Sequence, residues 1–447
     1  MLPLLRTLVV GFIVLGVLIF VHELGHFLMA KWCGIRVLTF SLGFGRRLVG
    51  VTRGDTEYRI SAIPFGGYVR MAGDNPEEEG TGEADEFPSR PVWQRILVAL
   101  SGPAANLLFA FVLLWAAFMI GVQQPEYLDS PVIGSVEKGS SAAEAELAPG
   151  DTVVSIDGKV VESWKEIEQM MLRGKPAYEV TVKRGSKTLT RYVSTGGTDE
   201  SGVPRQVTGG ILPAPPPVAG SVKPNWPADS AGFRPSDTVI AIDSTRIHSW
   251  LQLSQIVEHW DSTSGPLSFV VKRDQGTDTL GAYPRFDEEQ DRYLIGIGMA
   301  QPPTRMVKYN VSGAAVMAWN KCGEYAAMIF VILKKLIFRE VSARQLQGPI
   351  GIVQMSGAMA SAGLVAILNF MALIGVNLAV LNLLPLVITD GGMIVFLIIE
   401  AIRGKPLSAR AHSIINRIFI FLFIALFLYV SINDIKRAPD LFRTLSK

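Results

Sequence analysis

Residues 20–30 read FVHELGHFLMA. They close an apolar run from Leu8 to Ala30 that is long enough, as a helix, to cross a bilayer. Inside that run stand His22, Glu23 and His26. An ionisable side chain at the centre of a span costs roughly 2.5–3.5 kcal/mol on insertion scales, so three so close together are poor filler. His-Glu-x-x-His on a helix puts two imidazoles on one face, four residues apart, where both can hold one zinc ion, with the glutamate beside the metal's water. A satisfied pair of core histidines is the bland alternative, and it leaves the membrane setting unexplained. His22 and His26 are read as metal ligands and Glu23 as the catalytic general base.

The rest of the composition agrees with a membrane setting. Of 447 residues, 49% are apolar, and the formal charge is only +2. No basic stripe marks a nucleic-acid partner. Cys33 and Cys322 are the only cysteines, which excludes a disulfide framework, and they are expected on opposite sides of the membrane and unbonded. The N-terminal run is too long for a signal-peptide core and reads as an uncleaved span. A di-iron oxidase needs about eight boxed histidines, and this chain has 5. No G-x-S-G-G motif supports a serine protease.

Four transmembrane helices are expected, near residues 5–30, 97–121, 364–402 and 413–432. The third is interrupted by NLLPLVITDGG, residues 382–392, with Pro385 and Gly391-Gly392. Such a break is tolerated at membrane depth where the backbone lines a cavity or is buried in protein. Lys31, Arg36, Arg46, Arg47, Arg90 and Arg95 flank the first two spans, and Arg403, Lys405, Arg410 and Arg417 flank the last two. The positive-inside rule puts both links in the cytoplasm and the middle region outside, with the later Lys436, Arg437 and Arg443 weighing less. Residues 319–340 carry Lys334-Lys335 within an apolar stretch and read as an interfacial amphipathic helix, too interrupted to span. The acidic run 74–86 reads as a solvated loop.

The middle region repeats itself. Residues 132–158 align with 218–244 at an offset of 86, pairing Gly134 with Gly220, Asp151 with Asp237 and Asp157 with Asp243. Alternating apolar residues give short strands, and 165–172 reads as a helix. The small residues before PGD, or PSD in the second copy, resemble the PDZ family. PDZ domains bind an extended peptide as an added strand; simple exclusion of bulky partners is the alternative role.

A catalytic zinc usually has three protein ligands and an open position. His248 and His259 fall in the second repeat, and His412 is a weak candidate at the start of the last span. Asp390 is better placed, as the only acidic residue between Glu340 and Glu400, in the broken third span. A helix cap is its alternative reading.

HELGH, SGPAANLL (101–108) and NLLPLVITDGG, in that order, resemble the site-2 proteases. GYVRMAGD (67–74), QGPIGI (347–352) and the paired repeats extend the likeness over nearly the whole chain. This chain departs from the family's third motif in Thr389 before Asp390 and Val387 near a usual proline. The resemblance implies an intramembrane zinc (Zn2+) endopeptidase in a bacterial inner membrane. Its partners would be the lipid bilayer and single-span protein substrates, notably an anti-sigma factor already cut outside, as well as remnant signal peptides. PDZ domains facing the periplasm would receive the cut remnant, with the active site towards the cytoplasm. Asn382 is implied as a substrate or oxyanion contact. Asn377 and Asn106 are weaker candidates for that role, with bonding between helices as their alternative, and Phe44 is a further substrate-contact candidate.

A substrate helix must unwind before zinc can reach a peptide carbonyl. Residues 37–71 read as strands with glycine-rich turns and apolar Phe40, Leu42, Phe44, Ile63 and Phe65, and an edge there could pair with the unwound segment. The expected organisation is thus a polytopic α-helical membrane protein with a membrane-associated β-hairpin or sheet and two periplasmic α+β PDZ domains. The first helix covers 1–32, the β region and loop 33–96, and the second helix 97–121. The PDZ domains cover 127–208 and 216–300, followed by an amphipathic region at 301–362. The broken third segment covers 363–402, and the link, last helix and tail 403–447.

Overall fold

The computed structural model describes residues 2–74, 82–171, 175–194, 208–274, 276–288, 290–338, 348–387, 389–405 and 409–437. They form two units, Met1–Val122 with Val307–Lys447, and Gln123–Met306.

The first unit opens with helix α1, Leu2–Trp32. Two strands follow, Val37–Arg53 and Thr56–Met71. Their pairing shows that each doubles back. Residues 47–53 pair with 56–61, residues 57–60 pair again with 39–42, and 39–42 pair on their other side with 67–70. Two sequence strands thus make a four-stranded mixed sheet, with both outer pairs antiparallel and 39–42 parallel to 57–60. Gly43 and Gly66 stand at the folds with φ of 88° and 112°, which side chains with a Cβ rarely adopt.

Residues opposite one another share a face of a sheet. Phe40, Leu42, Val49, Val51, Tyr58 and Ile60 form one face, and Thr39, Ser41, Arg47, Glu57, Arg59 and Ser61 the other. The apolar face meets α1 through Phe40, whose ring packs edge-on to Phe20 and Phe27. Farther out it leaves Val49, Val51 and Ile60 exposed. On the polar face Ser41 and Ser61 share a hydrogen bond of 3.0 Å, and Arg47 bonds Glu57 at 2.7 Å.

Helix α2, Val92–Ile120, begins five residues before the expected span and so carries Arg95 in its first turn. The second unit contains helices α3 (Ser141–Glu144), α4 (Trp164–Met171), α5 (Pro227–Ala231) and α6 (Trp250–Glu258). It is two copies of one module. In the first, Lys159–Val160, Thr152–Ile156, Ala177–Arg184 and Lys187–Ser194 form a sheet in that spatial order. In the second, Thr245–Arg246, Thr238–Ile242, Leu267–Arg273 and Gly276–Ala282 repeat the order. Each module has its own core, around Trp164 and Ile167 in one and Phe233 and Phe269 in the other. Each buries an aspartate under an arginine fork. Asp151 meets Arg184 at 2.6 and 2.7 Å, and Asp237 meets Arg273 at 2.6 and 2.8 Å.

The chain then returns to the first unit with α7 (Val311–Ile337), α8 (Pro349–Ser361), α9 (Leu364–Leu383), α10 (Asp390–Arg403) and α11 (Ala409–Arg437). The reading of 319–340 as too interrupted to span needs correction. The helix starts eight residues earlier, where the Asn310 side chain caps it by accepting from Gly313 at 2.8 Å, and Lys334 falls near its end. Among the described residues, four helices are long and apolar enough to cross a membrane: Leu5–Trp32, Val92–Ile120, Val311–Lys334 and Leu364–Leu383. The expected last span lies in α11, many of whose side chains, His412 among them, fall outside the described residues. The chain is a multi-pass membrane protein. Its helices associate by close packing more than by water exclusion: Ala110 and Leu114 of α2 meet Ala314 and Ala318 of α7 and Ala372 and Val376 of α9, all fully buried. Val14 and Leu18 of α1 pack on Phe370 and Ile374 of α9. Cys33 and Cys322 are free.

Candidate metal centre

The helical spacing of His22 and His26 turns both rings to the same side of α1, where their Nε2 atoms are 3.2 Å apart. Two glycines make room for them. A Cβ on Gly25 would come 2.3 Å from the Ser101 carbonyl of α2, and one on Gly102 would come 2.3 Å from His26 Nε2. α2 therefore lies against the histidine face of α1 with nothing between them. It also holds the rings. The His26 Nδ1–H donates to the Val98 carbonyl at 2.7 Å, and the Asn106 amide lies 3.4 Å from His22 Nδ1. Asn106 is fully buried, and its Oδ1 has no partner among the described residues. With that oxygen turned to the imidazole, it accepts the Nδ1–H and leaves His22 Nε2 with a lone pair.

Asp390 completes the group. The break after α9 brings it back as the first residue of α10, with Oδ2 3.2 Å from His22 Nε2 and Oδ1 3.4 Å from His26 Nε2. The break is held by backbone bonds and by Thr389, whose hydroxyl lies 2.8 Å from the carbonyls of both Leu384 and Leu386. Gly391 and Gly392 let the loop fold onto α10, since a Cβ on either would lie within 2.3 Å of the Leu384 or Leu386 carbonyl.

Two imidazole lone pairs and a carboxylate thus face one another at 3.2–3.4 Å. All three are acceptors once the Nδ1 protons are engaged elsewhere, and the arrangement is repulsive without a cation among them. Tetrahedral zinc, with ligand distances of about 2.0–2.2 Å, separates its ligand atoms by about 3.3–3.6 Å. The residues fit that ion. Among the described residues this is the one group of three metal-ligating side chains within 4.8 Å of each other.

The centre opens into a cleft of about 720 Å³ lined by Glu23, Phe44, Gly67, Tyr68, Asn382 and Met393, among others. Glu23 takes a hydrogen bond from the backbone of Val69, in the sheet strand nearest α1. Gly67 approaches so closely that a Cβ would sit 3.1 Å from Glu23 Cγ. Phe44 stacks on Tyr68 with ring centres 5.9 Å apart. The Asn382 amide lies 3.4 Å from His22 Nε2. Asn377 is on α9 outside the cleft lining, with its Oδ1 buried and unpartnered among the described residues. His248 and His259 lie in the second unit. Sequence reasoning did not find the parts played by Gly25, Gly102 and the Val98 carbonyl; a glycine inside an apolar helix, where it costs about 1 kcal/mol against alanine, is a signal for close approach.

Two histidines, a carboxylate and a neighbouring glutamate, set among membrane-length helices, define a class: metallohydrolases that work inside the bilayer. The chain belongs to Peptidase family M50, whose model matches residues 10–426, and it is a zinc metalloprotease. It is 32% identical to the regulator of sigma E protease of Haemophilus influenzae, over 95% of this chain and 97% of that one. It is 33% identical to the regulator of sigma-E protease RseP of Escherichia coli K12, over 98% and 100%. A Neisseria meningitidis relative whose name assigns it to the zinc metalloproteases is 33% identical over 97% and 99%.

Proposed function

We propose that the protein is an intramembrane endopeptidase that cuts single-span membrane proteins, with His22, His26 and Asp390 as its zinc ligands and Glu23 as its general base. The observation that carries this is the meeting of three lone-pair donors, 3.2–3.4 Å apart, two of them on a helix of membrane length. Zinc bound there supplies a Lewis acid that makes water acidic enough to attack at neutral pH. Glu23 accepts the water's proton and returns it to the leaving amine nitrogen. Asn382 donates from its amide to the oxygen of the carbonyl under attack. Val98 and Asn106 keep the Nδ1 protons and so fix which nitrogen each histidine offers; Asn106, on the cleft lining, orients His22.

The scissile segment must leave its helix, and the lost backbone bonds need replacement in a medium without water. Strand 66–71 lines the cleft on one side and pairs with 39–42 on the other. It receives the unwound substrate as a fifth strand, with Phe44 and Tyr68 flanking the extended chain. The two repeated modules are PDZ domains, read from their common strand order and their PGD and PSD turns. They lie in the periplasm and receive the remnant left by a first cut. Relatives are named as regulators of sigma E; in keeping with that, the substrate on this reading is an anti-sigma factor and the setting a bacterial inner membrane.

The test is Glu23→Gln in the full chain, reconstituted with a single-span reporter. Zinc content should stay at the wild-type level while cleavage falls by about 10²–10⁴-fold, the usual worth of a general base. Cleavage at the wild-type rate refutes the assignment.

A further inference from the structure

Arg95 and Glu400 stand 305 positions apart and meet through both arms of the guanidinium. Nη2 donates to Oε1 at 2.5 Å and Nη1 to Oε2 at 3.1 Å, while Nε donates to the Arg90 carbonyl at 3.0 Å. Each of the three guanidinium nitrogens makes one bond, and the Arg95 side chain is only 9% exposed. Such a pair is weak evidence for stability, because desolvation offsets much of the attraction; its better-attested use is to fix register.

What it fixes follows from the two helices. Arg95 lies one turn before Val98, whose carbonyl holds His26, and two turns before Gly102, against which both rings pack. Glu400 lies ten residues after Asp390 on α10, about 15 Å along the axis. It stands in the last turn, where a carboxylate is unfavourable beside the negative end of the helix dipole. Its presence there does nothing for α10 as an isolated helix. The break at 384–389 also means that α9 does not dictate the direction of α10 through a continuous backbone. One end of α10 is set by the Gly391-Gly392 turn, and the other meets α2 through this ion pair.

We propose that Arg95 and Glu400 are positioning residues: they clamp the far end of α10 to α2 and so hold Asp390 in register with His22 and His26. The proposal rests on the reading of Asp390 as the third ligand.

The test uses full-length protein in lipid nanodiscs, with zinc affinity measured by chelator competition and site geometry by the visible spectrum of Co²⁺ loaded in its place. Glu400→Gln should weaken zinc by about 10–100-fold, the usual effect of losing a group that orients a ligand, and should shift the Co²⁺ bands. The exchanged pair Arg95→Glu with Glu400→Arg should recover most of that loss. In an Asp390→Ala background, Glu400→Gln should cost nothing more, because the ligand it positions is gone. If Glu400→Gln does not accumulate as folded protein, Arg95→Lys carries the same test, since it keeps the charge and loses the fork. Wild-type zinc affinity and Co²⁺ bands in Glu400→Gln overturn the clamp. So does an equal loss with and without Asp390, which marks general destabilisation. Asp390→Ala that binds zinc like wild type overturns the ligand reading itself, and the clamp with it.

Discussion

Carboxylates largely shielded from solvent occur in both units of this molecule, and their surroundings differ. In the repeated modules, Asp151 and Asp237 are each covered by an arginine of the same module, with two bonds of 2.6–2.8 Å. In the membrane unit, Asp390 faces two imidazoles whose protons are directed elsewhere, and its Oδ2 has no hydrogen-bond partner among the described residues. The modules supply their own countercharge; on the function proposed above, the membrane centre leaves that part to an ion. A buried charge neutralised by the chain holds a fold together, whereas one left open is where a ligand belongs. Arg95–Glu400 shows that the membrane unit also uses the first arrangement, away from the centre.

Substitutions can break the contrast from either side. The largest effect is expected at the open centre. His22→Phe or Asp390→Ala should cut the zinc retained through purification, as read by elemental analysis, while a weaker affinity stays measurable by titration, and should lower cleavage by about 10³-fold or more, since a catalytic zinc relies on three protein ligands. Gly102→Ala comes next. Its methyl would fall 2.3 Å from His26 Nε2, so the ring must move, and zinc affinity should drop by about 100-fold.

The self-neutralised module should behave differently. Asp237→Asn should leave zinc affinity unchanged while amide exchange in Thr238–Ile242 and Leu267–Arg273 speeds up by about tenfold or more, the equivalent of about 1.4 kcal/mol. Its pH dependence sharpens this. Burial would raise the Asp237 carboxyl, but the Arg273 fork and the Arg234 amide outweigh it and hold the group below the usual carboxylate range. A depressed folded value contributes stability above the unfolded value of about 3.9, and this is lost as pH falls through the folded value. Exchange in the second module should therefore accelerate below about pH 4, and Asp237→Asn should lack that acid step. The smallest effect is expected at Thr389→Val, which removes the hydroxyl bonded in the break before Asp390. At about 0.5–1.5 kcal/mol, it should lower zinc affinity by about threefold to tenfold.

Much of the membrane centre was legible because its first half is local. Two histidines at i and i+4 share a helix face whatever the rest of the chain does, and Asp390 stood out as a lone acid in an apolar stretch. The repeat was equally plain, since the offset of 86 keeps each aspartate in the same turn. What stayed hidden depended on distant partners. Arg95 read as one of several charges flanking a span, because nothing local couples it to Glu400. The four-stranded sheet was hidden inside two strand-like stretches, since only pairing shows that each doubles back. α7 was misjudged because its start was taken at Trp319, which moved Lys334 from the helix end into its middle.

The four-stranded sheet also bears on how the protein can be handled. Residues 47–53 form its outer edge, with no further strand paired to them among the described residues and exposed Val49 and Val51 beside an apolar pocket of about 340 Å³. Soluble proteins blunt such an edge to avoid aggregation. Stripping the surrounding lipid during purification should therefore promote stacking of molecules edge to edge, and extraction with native lipid retained should keep the enzyme dispersed.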